Sequence, residues 1–200
     1  MKHILLFEEL NFDTLVSAAN KARKIGHYNR AIKIEYEIAQ KKYGNLGMFK
    51  FEIGNPEENR EYFLYDLDVK FNQGKDCFLI HPIFINKNAK EDKSSFSDEL
   101  TKYNFMTFIP FKIIIQIGEQ TTDALDALPY AIKPVNYWGE LNQVFFSDRI
   151  SARKFKQFLI SDVVKNIISD LLFDEGSDVA DVHHTMDNIK SIPLHDLYKD

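Results

Sequence analysis

The sequence predicts an α+β fold: a mostly antiparallel sheet of five to seven strands, with an N-terminal helix and a long C-terminal helix packed on one face. Between residues 31 and 85, large apolar residues repeatedly alternate with polar ones, which is the period of β-strands. From residue 149 to residue 173, apolar residues recur every three or four positions and form a stripe wide enough to cover a sheet. The run FMTFIPFKIIIQI, at residues 105–117, is too short to span a bilayer and predicts a buried central strand, bent at Pro110.

Length and composition indicate one folded domain. The 200 residues are 44% hydrophobic and 28% charged, so the chain can bury a core of its own. The net charge of −5 argues against non-specific nucleic-acid binding as the main role, because phosphate neutralisation needs an excess of Lys and Arg, but it does not exclude a local basic patch. The single Cys77 cannot form an internal disulfide, and the N-terminus lacks the apolar core of a secretory signal. We therefore expect a cytoplasmic protein without a membrane segment.

The N-terminal half is expected to hold one helix followed by four strands. Residues 12–25 carry an apolar stripe at helical spacing, with Lys and Arg in the last turns and Gly26 as the stop. Strands are expected where apolar and polar residues alternate, at residues 31–38, 49–53, 61–71 and 76–85. The Asn-Gln-Gly-Lys sequence at residues 72–75 predicts a hairpin turn, and Pro82 predicts a bulge or a strand end. The short spacing indicates an antiparallel meander.

The C-terminal half is expected to complete the sheet and to cover it. The predicted order is an exposed charged loop at 86–98, the bent strand at 105–117, a short helix at 121–128, a loop at 129–134 and a strand at 141–146. A long helix at 149–173 should begin at a cap formed by Ser147 or Asp148. Its stripe should meet the inward face of the bent strand, formed by Phe111, Ile113, Ile115 and Ile117. Residues 1–175 are thus predicted as a single α+β domain, and residues 176–200 as a polar C-terminal tail.

The opening residues resemble those of phage proteins. The pattern MKxIxLFEE is formed by Lys2, Ile4, Leu6, Phe7, Glu8 and Glu9. It resembles the N-termini of many uncharacterised proteins of T4-like tailed phages. In some virion proteins of such phages, a short segment of this kind is a capsid-targeting or processing signal, so the resemblance implies a phage-derived and virion-associated protein. The alternative is an ordinary first turn or strand that packs Ile4, Leu5 and Phe7 into the core.

One cluster of residue types could bind a metal ion. The segment DEGSDVADVHHTMD contains carboxylate and imidazole groups, which are good ligands for zinc or manganese: Asp174, Asp178, Asp181, His183, His184 and Asp187. His183, His184 and Asp187 are the metal candidates. Their spacing matches neither HEXXH nor the calcium loop, and a solvated acidic tail would have the same composition. We therefore expect no cofactor.

Candidate catalytic groups match no known motif. Asp66 and Asp68 lie two apart on a predicted strand and share a face, where two carboxylates can shift each other's pKa. The solvent-exposed face of a half-buried strand has the same pattern. Cys77 and His81 lie four apart on a strand, about 13 Å from each other, so they cannot touch. Cys77 is expected in the core. The sequence therefore favours a protein that is not an enzyme.

The remaining candidates are interaction sites. Tyr130, Tyr137 and Trp138 lie in a predicted loop, where Tyr and Trp are typical interface anchors; alternatively, Trp138 caps an edge of the core. The expected function is that of a non-enzymatic structural or assembly protein, which acts through contacts with a protein partner or with itself. The alternative is a small-molecule binding module, whose pocket lies between the C-terminal helix and the sheet.

Overall fold

The computed structural model describes residues 2–51, 60–88, 107–117, 128–135, 145–174 and 179–198. Within these ranges the helices are α1 (Lys2–Lys24), α2 (Tyr28–Tyr43), α3 (Arg149–Leu159), α4 (Asp162–Asp174) and α5 (Val179–Ser191). The strands are β1 (Phe49–Phe51), β2 (Arg60–Asn72), β3 (Cys77–Asn86), β4 (Thr107–Phe108), β5 (Phe111–Gln116) and β6 (Tyr130–Pro134). The fold class is α+β, as predicted.

The strands form one antiparallel sheet in the order β1-β2-β3-β5-β6, and β4 pairs separately with β3. The strands predicted at 61–71 and 76–85 are confirmed as β2 and β3, joined by a 3₁₀ turn at Gln73–Lys75. The strand predicted at 49–53 is present as β1. The loop predicted at 129–134 is wrong, because Tyr130–Pro134 pairs with β5 as a strand.

Proline divides the strand predicted at 105–117, as expected. Pro110 separates β4 from β5. Around Pro82, which has no N–H to donate, β3 changes its partner from β5 to β4. The predicted inward face is confirmed for Phe111, Ile113 and Ile115, which are fully buried, whereas Ile117 lies after β5 and is partly buried against the core. The middle strand of the sheet is nevertheless β3 and not β5.

A β-bulge in β2 changes which side chains face the main core. The register with β3 shifts between Leu64 and Asp66. Leu64 lies in the main core before the bulge and Leu67 after it, whereas Tyr65 packs with the cluster on the opposite face. The strict alternation predicted for residues 61–71 fails here because a bulge inserts one extra residue into the strand.

The main core lies between one face of the sheet and helices α3 to α5. At its centre is a cluster of fully buried phenylalanines: Phe49, Phe51, Phe78, Phe84, Phe111, Phe146 and Phe155. The ring centroid of Phe155, on α3, is 5.3 Å from that of Phe146 and 5.8 Å from that of Phe111. The C-terminal stripe therefore meets the inward face of β5, as predicted.

The single helix predicted at 149–173 is in fact two helices. α3 begins at the predicted cap, where the Asp148 carboxylate accepts a hydrogen bond from the Ser151 amide at 2.7 Å. α4 begins after Ser161, with Asp162 in its first turn. Serine and aspartate are residue types that start helices, so the sequence contains a break that the continuous apolar stripe conceals.

The prediction of a polar tail is wrong for residues 179–198. These residues form α5 and a short segment after it, and they supply the main core with Val182, Met186, Ile189, Ile192 and Leu197. The apolar positions recur every three or four residues, so one narrow face of a mostly polar helix is buried. Composition alone does not reveal such a face.

Residues 31–38, predicted as a strand, lie in helix α2. That helix buries six residues at helical spacing: Ala31, Ile32, Glu35, Ile38, Ala39 and Tyr43. The helix predicted at 12–25 is confirmed as part of α1, which starts earlier, at Lys2. Gly26 adopts φ 77° in the turn between α1 and α2, a conformation that glycine favours. The two helices pack together as a hairpin.

Helices therefore cover both faces of the sheet. In β3, Phe84 belongs to the main core, and its neighbour Ile85 belongs to a second, smaller cluster. Neighbouring residues of a strand point to opposite faces. Ile32 and Ala39 of α2 pack on the Ile85 face, whereas α4 and α5 pack on the Phe84 face. The expected placement of all helices on one face is not what the structure has.

Candidate functional site

One long stretch of this acidic chain carries a net positive charge. Residues 14–50 contain eight Lys or Arg and two Asp or Glu, a net charge of +6. Because the whole chain carries −5, everything outside this stretch carries −11. No acidic residue occurs between Asp13 and Glu35. Most of the stretch lies in the α1–α2 hairpin, and α3 is a second, shorter cationic segment, with four Lys or Arg and no Asp or Glu.

Four exposed cations surround the turn of this hairpin. Lys21 and Lys24 lie three apart at the end of α1, and Arg30 and Lys33 lie three apart at the start of α2. All four are exposed, and residues three apart share one side of a helix. At the turn between them, Ile25 is 58% exposed. We call Lys21, Lys24, Ile25, Arg30 and Lys33 the basic hairpin surface.

A buried ion pair holds the two helices of the hairpin together. The Arg23 guanidinium of α1 makes a two-pronged contact with the Glu35 carboxylate of α2, at 2.6 Å and 2.7 Å. Glu35 is only 5% exposed. Such fork-to-fork pairs fix the orientation as well as the distance of their partners. Glu35 therefore neutralises a cation inside the hairpin, and the outward charge comes from the other basic residues.

Apolar packing fixes α2 to the sheet. Ile32 and Ala39 lie against Phe63 of β2 and Ile85 of β3. The ring of Tyr36 meets that of Phe63 edge to face, with 5.1 Å between the centroids. These contacts attach the helix that carries Arg30 and Lys33 to one face of the sheet.

A hydrogen-bond network at the β2 bulge fixes the other end of α2. The Tyr43 hydroxyl donates to the Asp66 carboxylate at 2.7 Å and accepts from the Leu67 amide at 3.0 Å. Burial acts to raise the pKa of Asp66, but hydrogen bonds from Lys42 and Tyr43 outweigh it and lower that pKa overall. Burial, followed by the bond to Asp66, raises the pKa of Tyr43. Asp66 is therefore an ionised anchor for α2.

The predicted carboxylate pair is divided between different partners. Asp66 binds α2, whereas Asp68 lies 2.8 Å from the Lys70 ammonium and 3.9 Å from Nδ1 of His81, beyond hydrogen-bonding distance. Burial lowers the pKa of His81, despite the attraction of Asp68. Cys77 is buried, as predicted, and burial raises the pKa of its thiol. These groups do not converge on one reaction centre.

The predicted metal residues lie on α5. His183 and Asp187 are exposed, and His184 is half-buried. Lys190 donates to Asp187 at 2.7 Å and lowers the pKa of that carboxyl. In the ranges that the structure describes, no group of three or more His, Cys, Asp or Glu side chains could hold a metal ion. Asp178 lies outside those ranges.

Tyr130 is the one predicted interface anchor among the described residues; Tyr137 and Trp138 lie outside them. The side chain of Tyr130 is buried, at 9% exposure, and its hydroxyl donates to the Asp196 carboxylate at 2.9 Å. Burial, followed by this bond, raises the pKa of Tyr130 to about 12. Tyr130 therefore links β6 to the C-terminal segment, and the interface role of the three aromatics stays a prediction.

The space where a ligand pocket was predicted holds aromatic rings. Phe155 of α3 lies over the sheet, with its ring centroid within 6.3 Å of those of four other phenylalanines: Phe49, Phe84, Phe111 and Phe146. These are the distances of packed aromatic pairs. At this position, the protein itself fills the space between α3 and the sheet.

The chain matches no protein-family model, no curated protein and no solved structure. Among the residues described, no helix is both long and apolar enough to cross a membrane. The resemblance of the opening residues to phage proteins stays a prediction. The basic hairpin surface, defined by the geometry of this chain, is the strongest candidate for a functional site.

Sequence reasoning missed this surface although a signal was present. The run without acidic residues between Asp13 and Glu35 is visible in the sequence. Its meaning depends on residues 31–38 being helical, because a strand there would place Arg30 and Lys33 in a sheet. The net charge of −5 is a total over the whole chain, so it does not reveal a local cationic region.

Proposed function

We propose that this protein is a non-enzymatic structural or assembly protein that acts through protein–protein contacts, and that the basic hairpin surface is its contact surface. The observation that carries the proposal is the exposed Ile25 among four exposed cations. An apolar residue within a charged rim is a common arrangement at protein interfaces. Complementary charge would guide the partner to the surface, and the apolar contact would hold it there.

The charge of the rest of the chain favours an acidic protein over a nucleic acid as the partner. Outside residues 14–50 the chain carries −11, and that charge repels an extended polyanion. An acidic surface on a protein is smaller than a nucleic acid, so it can contact the hairpin without approaching the acidic remainder of the chain. The burial of Ile25 would also contribute more against a protein than against a phosphate backbone. A cytoplasmic or virion location fits this role equally, and both stay predictions.

A photo-cross-linking amino acid at position 25 tests the proposal. The residue is introduced in place of Ile25, or in place of the exposed Lys75 in the β2–β3 turn as the matched control, and the protein is produced in its native host. We expect protein adducts from position 25 and not from position 75. The substitutions Lys24→Glu and Arg30→Glu should abolish the adducts. Nucleic-acid adducts, or equal protein adducts from both positions, would overturn the proposal.

A further inference from the structure

We infer that the partner of the basic hairpin surface is a second copy of this chain, which presents its acidic helices α4 and α5. The inference rests on the proposed function and names the partner. Residues 160–200 contain nine Asp or Glu and three Lys or Arg, a net charge of −6, against the +6 of residues 14–50. The chain thus carries two stretches of equal and opposite charge.

The acidic surface has the same mixture of charge and exposed apolar groups. On α4, Asp170 and Asp174 are exposed, and so are Val163 at 37% and Phe173 at 50%. Val163 lies seven residues before Asp170, and Phe173 and Asp174 lie three and four residues after it, so all four share one side of the helix. We call Val163, Asp170, Phe173 and Asp174 the acidic helix surface. It offers carboxylates to the cations of the hairpin, and apolar area to Ile25.

The fold keeps the two surfaces apart within one molecule. Ile32 and Ala39 of α2 pack on the sheet face of Ile85, and only Tyr43, at the far end of that helix, reaches the main core. α4 buries Val164, Ile168 and Leu172 in the main core, on the face of Phe84. The two surfaces therefore belong to helices that cover opposite faces of the sheet. Each surface can be covered by its complement only on another molecule.

This geometry determines the type of assembly. A contact between two different surfaces is heterologous, so each pair of copies leaves one surface of each kind free for further copies. Copies then join head to tail. Because the attraction joins charges near solvent, salt should weaken the association.

Two charge-reversed variants test the inference on the purified full chain by sedimentation velocity. The hairpin variant carries Lys24→Glu and Arg30→Glu, and the helix variant carries Asp170→Lys and Asp174→Lys. All four residues are exposed, so the folds should persist, as circular dichroism would verify. We expect the wild-type chain to associate with rising concentration, and to do so more weakly at about 0.5 M salt than at about 0.05 M salt. Each variant alone should dissociate at least about tenfold more readily.

The mixture of the two variants gives the most specific result. The hairpin variant keeps an intact acidic helix surface, and the helix variant keeps an intact basic hairpin surface, so together they should form a 1:1 dimer that cannot grow. A chain with all four substitutions has both charges exchanged and should associate again. Lys75→Glu with Lys133→Glu, at exposed sites elsewhere, is the matched control and should associate like the wild type.

A wild-type chain that remains monomeric at all concentrations would overturn the inference. So would variants that associate normally, or a mixture that forms no dimer. If such a result accompanies protein adducts from position 25 to a different protein, the proposed function stands and self-association is wrong. If position 25 gives no protein adducts at all, the proposed function fails as well.

Discussion

Removal of the Glu35 carboxylate should open the hairpin that carries the basic surface. Glu35 is 5% exposed and binds the Arg23 guanidinium at 2.6 Å and 2.7 Å. Loss of one partner from a buried ion pair costs about 3–5 kcal/mol, because the other charge is left without compensation. The Arg23 side chain is 18% exposed and can turn toward water, so we expect Glu35→Ala to cost about 3 kcal/mol, at the lower end.

Urea denaturation measures this cost, and the same helix supplies the control. Glu37 is two residues away, its side chain is 54% exposed, and it lies 3.7 Å from Lys41, so Glu37→Ala should cost about 0.5 kcal/mol or less. The double variant Arg23→Leu with Glu35→Leu should recover to within about 1 kcal/mol of the wild type, because no charge remains buried. Equal costs for the two alanine variants, or a double variant as unstable as the sum of the single ones, would refute this reasoning.

Three further substitutions test the core and the two tyrosine networks. Phe155→Ala should lower the free energy of unfolding by about 3–5 kcal/mol and Phe155→Leu by less than about 1.5 kcal/mol, as measured in urea. Tyr43→Phe removes a hydrogen bond that lowers the pKa of Asp66. A lowered pKa stabilises the fold above about pH 4, and this stabilisation is lost as the pH falls further. Acid denaturation should therefore show a smaller loss of stability at low pH in Tyr43→Phe than in the wild type. Burial and the bond to Asp196 raise the pKa of Tyr130 from 10.0 to about 12, so wild-type stability should fall as the pH rises between these values, and should fall less in Tyr130→Phe.

The strands were predictable where two independent signals agreed. In β2 and β3, the alternation of apolar and polar residues meets a turn sequence at residues 72–75, and the observed bounds, Arg60–Asn72 and Cys77–Asn86, lie within a residue of the predicted ones. Pro110 likewise placed the bend between β4 and β5, because proline cannot donate to a ladder. The bulge between Leu64 and Asp66 had no such signal in the sequence, and the bond that Asp66 accepts there comes from Tyr43, 23 positions earlier.

Residues of helix α2 were predicted as a strand because their isoleucines fit two-residue alternation better than the helical period. Ile32 and Ile38 are six apart, which alternation accommodates fully and the helical period only in part. The deciding residue is Glu35, which is buried in the helix, although a carboxylate is normally read as exposed. Its burial depends on Arg23, twelve positions earlier, and local patterns do not reveal a partner at that distance.

Helix α5 was not predicted for the opposite reason: its polar composition was given more weight than the spacing of its apolar residues. His183, His184 and Asp187 suggested a solvated tail or metal ligands, and they are indeed exposed or half-buried on the outer side of α5. The apolar residues Val182, Met186 and Ile189 of the same helix have the spacing of a buried face. A helix that covers a sheet needs only such a narrow stripe, so a polar average does not argue against a place in the core.

The position of the basic hairpin surface should allow its charge to change without loss of the fold. The four cations lie on the outer sides of α1 and α2, whereas the hairpin is held by the Arg23–Glu35 pair, the Ile32 contact with Phe63, and the Tyr43–Asp66 network. None of these supports belongs to the exposed set. Reversal of Lys24 or Arg30 therefore changes the attraction for a partner and leaves the base of the hairpin in place. That separation of binding charge from structural contacts is what makes a loss of association in these variants a measure of binding rather than of unfolding.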